Sequence, residues 1–519
     1  MLPRLTTAAL LGLFTFGAVS PAARLPSLAD SAIQQITAAE LRRHVAVLAS
    51  DRLAGRAVGH AGNREAEQYI AGAFRDAGIV PVVPDYLQPV AVYQPRLGPD
   101  ARLTIAAGAE SALSDLRAGS DFYPLPVSGD RPADGRMLFA GHGISAPGSQ
   151  HDDYATIDAR GAIVLVLADA PDRLRNLPSL SNEEEADLAS VDRKVADARA
   201  RGAAGLLIVR RHMADARAVW PETSSARSAS YRLLAPMRAE PLAVAAISVS
   251  AAAPVRKAIE AGRAVTARLT PGVEATPVMM HNVLAIVEGR QPSSEMVVVG
   301  AHLDHDGVDE AGRIYNGADD NASGTAAVMT IASAFARAAA RGERPARAVV
   351  FALWNGEEKG SLGAEYYVGA PVPARRVIAN LNLDMVGRAE EIPDPDDARY
   401  HGFARTGAGQ NSNVVHLLGY SYSPDLARIV QQANDTIALT IRERYDEGSQ
   451  GLLRRSDNWP FLERGIPAVF FTTGLHPDYH TPEDDTERID FAKLERIAEL
   501  AGRAAWMTAD GDAPRITSR

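Results

Sequence analysis

The 519-residue chain has no cysteine. Disulfides, thiolate metal ligands, a cysteine nucleophile and lipid attachment through sulfur are thereby excluded, and any metal has to be held by His, Asp and Glu. An excess of positive charge is missing as well: the formal net charge is −10, the sequence pI is about 5.7, and both signs are dispersed. That balance argues against nucleic acid or an anionic membrane as the main partner. Beyond the N-terminal region no apolar run approaches the ~20 residues that a membrane span requires.

What is present begins with an export signal, residues 1–23. Arg4 supplies its positive end, Ala8 to Val19 its apolar stretch, and Ser20-Pro21-Ala22 the small residues where a peptidase could cut. The apolar stretch is too short for an anchor, so cleavage between Ala22 and Ala32 is expected, giving an exported protein, periplasmic or secreted, with no stable membrane span. At 46% hydrophobic residues the chain is globular, and its length predicts two domains or one domain with a large insertion.

Thr37-x-x-Glu40 is a capping box that opens a helix with Leu41, Val45 and Leu48 on one face. Asn63 to Ala77 repeats the pattern with Ala66, Tyr69, Ile70, Ala73 and Phe74, and Gly78 ends it. From about Arg96 to Ala275 the texture changes to short apolar runs, Pro and Gly punctuation, and a polar stretch from Ser179 to Asp187. Gly161 to Leu167 reads there as a strand, and Lys194 to Arg201 as a helix leading through Gly202-Ala203-Ala204-Gly205 into a strand from Leu206 to Val209. Residues 96–275 are therefore expected to be an inserted domain separating two parts of a main domain, 31–95 and 280–510. The second of these parts alternates strand runs (Val283 to Val287, Met296 to Gly300, Ala348 to Leu353, Val377 to Leu383, Ala468 to Thr472) with helical segments (Ser323 to Ala340, Pro424 to Thr440, Phe491 to Thr508). Such alternation predicts a three-layer α/β/α sandwich with a largely parallel mixed sheet.

Adjacent carboxylates at a strand end, Glu357 and Glu358, are costly unless something cationic sits opposite. Further polar landmarks also follow strands: His302-Leu303-Asp304, Asp319-Asp320, Asp384 and, in Tyr479-His480-Thr481, His480. Open α/β sheets bring such residues together at the carboxyl ends of their strands. Taken singly, Asp-Asp-Asn is a turn or helix cap, Glu-Glu a solvated helix start, and a lone His a hydrogen-bonded side chain; the conjunction is what points to two divalent metals. Two metals about 3.5–4 Å apart need a ligand that touches both, and Asp320, in a turn at the start of a helix, is placed for that. His302 and Asp304 point the same way, so the carboxylate can accept the imidazole N–H and orient the ring without touching metal. The charges of Asp320, Glu358 and Asp384 with a bridging hydroxide balance two Zn²⁺, which leaves Glu357 free to take a proton from water and deliver it to a departing amine.

These residues make the chain resemble the secreted co-catalytic zinc exopeptidases, which include bacterial leucyl-type aminopeptidases and glutamate carboxypeptidase. The resemblance rests on Ala301-His302-Leu303-Asp304-His305, Asn316 to Gly324, Asn355-Gly356-Glu357-Glu358, Asn382-Leu383-Asp384-Met385, Ser456-Asp457, Tyr479-His480-Thr481-Pro482 and Ala49 to Arg56. It implies that His302, Asp320 and Asp384 hold one zinc, and that Asp320, Glu358 and His480 hold the other; the family pattern selects Asp320 over Asp319 as the bridge. It further implies that Glu357 is the general base, that Asp304 stands behind the first His, and that Tyr479 hydrogen-bonds a tetrahedral oxyanion. The region from Arg160 to Leu165 and from Lys194 to Leu206 resembles a protease-associated domain. One departure is Asn458, where many relatives carry His after Ser-Asp.

The function expected is a peptide-cleaving exopeptidase, an aminopeptidase first. A carboxypeptidase or dipeptidase could use the same metal pair, with Arg454 and Arg455 as candidate partners for a substrate carboxylate. A glutaminyl cyclase is disfavoured because the two-metal ligation looks complete, and a receptor-like binder because neither ligand nor base is missing.

Overall fold

The fold is taken from a computed structural model that describes residues 27–517 apart from 108–111, 147–149, 172–173, 175–187, 212, 214–219, 221–224, 228, 234–241, 401 and 448–450. The export segment 1–23 and the polar stretch Ser179 to Asp187 lie outside the described residues.

Apolar runs too short for helices and rich in β-branched residues form the main sheet, which has ten strands. Eight carry the argument: β1 (Leu87–Leu97), β2 (Val273–Val287), β3 (Glu295–His302), β4 (Ala348–Trp354), β5 (Arg376–Leu383), β6 (Val414–Leu418), β7 (Thr440–Glu443) and β8 (Ala468–Thr472). Their spatial order is β1-β2-β4-β3-β5-β8-β6-β7, with Arg232–Leu233 added outside β1. The four central strands, β4, β3, β5 and β8, are parallel; the pairings β1 to β2, β2 to β4 and β6 to β8 are antiparallel. The expected mixed sheet is therefore parallel where it is most buried. The register sets His302 opposite Trp354, so β3 and β4 reach their carboxyl ends together.

Each face of the sheet carries its own core. Leu41, Val45, Ile70, Phe74, Phe335, Leu426 and Trp506 pack helices against one face, and Tyr367 and Phe461 with Trp354 build the other, which gives the three layers. At the helix Ala38–Leu48 the Thr37 hydroxyl accepts the Glu40 amide N–H at 3.2 Å, the cap foreseen in the sequence. The helix expected from Pro424 to Thr440 stops at Ala433. Asn434 diverts the chain by exchanging hydrogen bonds with Leu439, its amide donating to Leu439 O at 2.7 Å and its carbonyl accepting the Leu439 N–H at 3.0 Å, and Thr440 then enters β7.

β1 and β2 form a long antiparallel ribbon, paired from Leu87 with Val283 to Leu97 with Val273. From its tip rises a second, eight-stranded sheet built between Arg102 and Thr270, with cores on both faces. Its strands Ala133–Phe139, Ile163–Leu167, Gly205–Arg210 and Ala243–Ser248 are parallel. The helix expected from Lys194 to Arg201 is Val191–Ala200. No helix among the described residues is long and apolar enough to cross a membrane.

Candidate metal centre

Four loops at the carboxyl ends of β3, β4, β5 and β8 bring the site together. β3 ends on His302, β4 leads through Asn355 and Gly356 to Glu357 and Glu358, β5 delivers Asp384, and the segment after β8 carries Tyr479 and His480. Asp320 comes from the turn before the helix Gly324–Ala340. That turn needs Gly317: its φ is +57°, and a Cβ there would lie 2.1 Å from Asp320 O.

The geometry separates the two aspartates of the pair. The Asp319 carboxylate accepts the Gly387 N–H at 2.6 Å and lies 3.2 Å from His476 Nε2, which turns it away from the cluster. Asp320 Oδ1 lies 3.3 Å from His302 Nε2, whereas its Oδ2 lies 3.0 Å from His480 Nε2. Asp384 Oδ1 is 3.3 Å from His302 Nε2, and Glu358 Oε2 is 3.4 Å from His480 Nε2. One carboxylate thus faces two imidazoles, each of which has a further carboxylate of its own. His302 Nε2 and Asp384 Oδ1 are buried without a hydrogen-bond partner. Buried polar atoms left in this way call for an ion, and the ligand atoms of His302, Asp320 and Asp384 all lie within 4.8 Å of one another. The donor set of imidazole and carboxylate suits zinc.

Adjacent Glu357 and Glu358 are driven apart electrostatically. Burial, reinforced by Asp457, Glu358 and Asp384, raises Glu357 well above the usual glutamate range against the pull of His302. Burial acts on Glu358 the same way, but His480 and His305 prevail and hold it at about 2. Burial also opposes ionisation of Asp320, yet the imidazoles of His302 and His480 beside its two oxygens, with His305 nearby, keep it well below the aspartate range. Against their burial, the carboxylates raise His302 well above the usual histidine range and His480 to about 10. The cluster therefore draws in positive charge, which a divalent ion can supply in place of protons.

Asp304 does not act quite as expected. Its carboxylate is 3.8 Å from His302 Nδ1, and the nearer acceptor is its own carbonyl at 3.3 Å. The carboxylate instead accepts the backbone N–H of Glu357 at 3.1 Å and of Glu358 at 3.3 Å, so it fixes the glutamate turn. Tyr479 lines the small cleft with Asp320, Glu357, Glu358 and Asp384, and its hydroxyl accepts from Arg455 Nη2 at 3.2 Å. Arg454 is stacked over Trp459, 4.4 Å from the ring centre. Asn458 is buried and donates to Leu453 O at 2.9 Å.

Several supporting residues carried no assigned role in the sequence reading. Ser456 donates to Asp384 Oδ2 at 2.7 Å, Asp484 accepts the N–H groups of Asp319 and Asp320 at 3.0 Å, and His305 Nδ1 lies 2.7 Å from Glu358 Oε1. Arg56, fully buried, donates to the carbonyls of Leu48, Leu303, Asn316 and Gly317 and so ties together the loops bearing His302 and Asp320. Ser-Asp and the Ala49 to Arg56 run were visible as motifs; the bonds they make are tertiary.

The chain is 28% identical over 254 residues to a probable zinc metalloprotease of Leptosphaeria maculans, a match covering 44% of this chain and 57% of that one. It is 28% identical over 202 residues to aminopeptidase YwaD of Bacillus subtilis, covering 37% of each. The chain thus spans about half or less of the length of these curated relatives. Among solved structures, an aminopeptidase from Aneurinibacillus sp. strain AM-1 shares the fold with a TM-score of 0.50 at 19% identity, covering 94% of this chain and 97% of that one. Residues 282–505, which contain the candidate ligands His302, Asp320, Glu358, Asp384 and His480, match peptidase family M28. The segment that carries the candidate metal centre is thus similar to peptidase family M28, and the relatives it matches include a probable zinc metalloprotease.

Proposed function

We propose that the protein is an exported aminopeptidase that holds two zinc ions and removes N-terminal residues from peptides. The observation that carries this reading is Asp320, whose two oxygens face His302 on one side and His480 on the other. His302, Asp320 and Asp384 would hold one ion, and Asp320, Glu358 and His480 the second. Zinc bound there would polarise the scissile carbonyl and lower the pKa of an attacking water.

The chain's own residues do the rest. Glu357, raised by burial beside its ionised neighbour Glu358, is suited to take the proton from water and pass it to the leaving amine. Tyr479 donates a hydrogen bond to the oxygen on which charge develops. Asp304, through the amides of Glu357 and Glu358, keeps base and ligand in register. Met385, Leu452, Phe470 and Leu475 form an apolar side of the cleft, which supports preference for an apolar N-terminal side chain. The inserted sheet is read as a protease-associated domain, and export rests on the signal-like residues 1–23.

A second reading, a carboxypeptidase, is favoured by Arg455, which reaches the same cleft. One assay separates the two. A leucine-initiated peptide should lose its first residue, its N-acetylated form should be left intact, chelation should stop hydrolysis and zinc restore it. Release of residues from the C-terminus of the acetylated peptide would replace the aminopeptidase reading, and full activity after exhaustive metal removal would overturn both.

A further inference from the structure

One stretch of the insert leaves its own sheet and lies across the metal centre. Ser225 Oγ donates to Glu310 Oε1 at 2.7 Å, and Ala226 packs on Gly307, where an added Cβ would come within 2.8 Å of the alanine Cβ. Further on, Tyr231 OH donates to Val58 O at 3.1 Å, and Arg232–Leu233 extends the main sheet beside β1. Between them stands Arg227. Its Nε donates to Asp306 Oδ2 at 3.0 Å, Nη1 to Tyr315 OH at 3.0 Å and Nη2 to His480 O at 3.3 Å. Lys359, next to Glu358, returns a bond from Nζ to Arg227 O at 3.0 Å.

Asp306 links this arginine to the ligand set. The oxygen that accepts from Arg227 Nε lies 3.4 Å from His480 Nδ1, while His480 Nε2 faces Asp320 and Glu358. A ligating imidazole needs its second nitrogen held so that ring orientation and tautomer are fixed. His302 has packing for that purpose, with a side chain 1% exposed, whereas the His480 side chain is 26% exposed. His480 also sits at φ +54°, a left-handed backbone that costs energy in a non-glycine residue and persists where its surroundings hold it. Arg227 grips both ends of this residue: the ring through Asp306, and the main chain through the carbonyl.

We infer that Arg227 is a positioning residue through which the docked insert sets metal affinity at the His480 half of the centre. The inference rests on the two-ion reading above. The full-length protein and its Arg227→Met, Asp306→Asn and double variants would be titrated with zinc against a chromophoric chelator, with metal content measured by elemental analysis and thermal unfolding followed on the metal-free proteins. Arg227→Met should weaken one ion by ~10–100-fold and leave the other and the metal-free melting temperature unchanged. The double variant should bind no more weakly than Asp306→Asn alone, because the arginine acts through that carboxylate. Equal zinc affinities in wild type and Arg227→Met would overturn the inference while leaving two ions in place. So would equal weakening of both ions together with a lower metal-free melting temperature, which marks a general structural role. A wild-type protein that holds a single ion would overturn the two-ion reading and this inference with it.

Discussion

The main sheet and the inserted sheet solve the same architectural problem and differ in what they do with it. Both have buried parallel strands at the centre, β4, β3, β5 and β8 in one, Ile163–Leu167, Gly205–Arg210 and Ala243–Ser248 in the other. Both leave a cleft at the carboxyl ends of those strands. The insert has the larger one, about 810 Å³ with Arg210, Arg211, Arg256 and Lys257 on its walls, against about 40 Å³ at the metal cluster. Yet among the described residues every group of side chains close enough to hold a metal belongs to the main sheet. In the insert's cleft Arg256 pairs with Glu260 at 2.8 Å and His142 Nδ1 meets Asp169 O at 2.7 Å, while among the described residues Arg210 Nε makes no hydrogen bond and has no cluster of carboxylates converging on it. At the main sheet His302 Nε2 has oxygens of Asp320 and Asp384 at 3.3 Å, yet neither it nor Asp384 Oδ1 makes a hydrogen bond. Volume is a poor guide to chemistry here; convergent, unsatisfied donor atoms are the better one.

Removing one carboxylate from each cleft should separate the two regions most strongly. Asp320→Asn removes a charge shared by both halves of the cluster and should reduce peptide hydrolysis to background with loss of zinc. Asp169→Asn, in the larger cleft, should leave steady-state kinetics unchanged. Comparable losses in both variants would mean that the insert's cleft takes part in the chemistry.

Next in size is the split between neighbours. Glu357→Gln should keep its metal and lose ~10²–10⁴-fold in kcat, since the amide preserves shape but cannot accept a proton. Glu358→Gln should show its defect in zinc affinity first. If elemental analysis found metal lost from the Glu357 variant and retained in the Glu358 variant, base and ligand would have to be exchanged.

Much of this was legible in the sequence because the site residues lie at strand ends, where the pattern of short apolar run followed by charged residue is local. The four central strands and the segments bearing His302, Asp320, Glu358, Asp384 and His480 were found in that way. Other features depend on partners far along the chain. β6 and β7 are short, β7 forming the edge of the sheet, and Asn434 shortens a helix that periodicity alone would continue to Thr440. Arg56 ends the Ala49 to Arg56 run, and its role is visible only once its partners at Leu303, Asn316 and Gly317 are seen. Arg227 reads as part of an insert, although its bonds go to the main domain.

The two regions also differ in how buried cations affect their stability. Burial lowers Arg56 to about 10 despite Asp304, Asp320, Asp484 and Glu358, and its guanidinium serves four carbonyls. Arg56→Met would leave those carbonyls unpaired and the nearby carboxylates less compensated, at a cost of about 3–5 kcal/mol in unfolding free energy. Denaturant unfolding of the metal-free protein measures it, and a loss below about 1 kcal/mol would mean that the loops around His302 and Asp320 hold themselves.

Lys194 is the insert's counterpart, and its effect should be smaller and dependent on pH. The side chain is fully buried and its ammonium donates to the carbonyls of His142 and Asp169. Burial lowers its pKa to about 8 from the ordinary 10.5, against the opposing pull of Asp153, Asp169 and Asp197. Below about pH 8 both folded and unfolded chains hold the proton, and the cost of burying the cation is present in full. Between about pH 8 and 10.5 the unfolded chain keeps a proton that the folded one has released, so this group makes stability rise with pH, by at most about 3 kcal/mol. Lys493 in the main domain is lowered to about 8 in the same way and should contribute a rise of the same sign. Melting curves of the metal-free protein across that window should therefore show a shallower rise for Lys194→Met than for wild type. The Lys493 share should persist. An unchanged pH slope in the Lys194 variant would mean that water reaches its ammonium, and that the insert's core is looser around this helix than the main sheet is around Arg56.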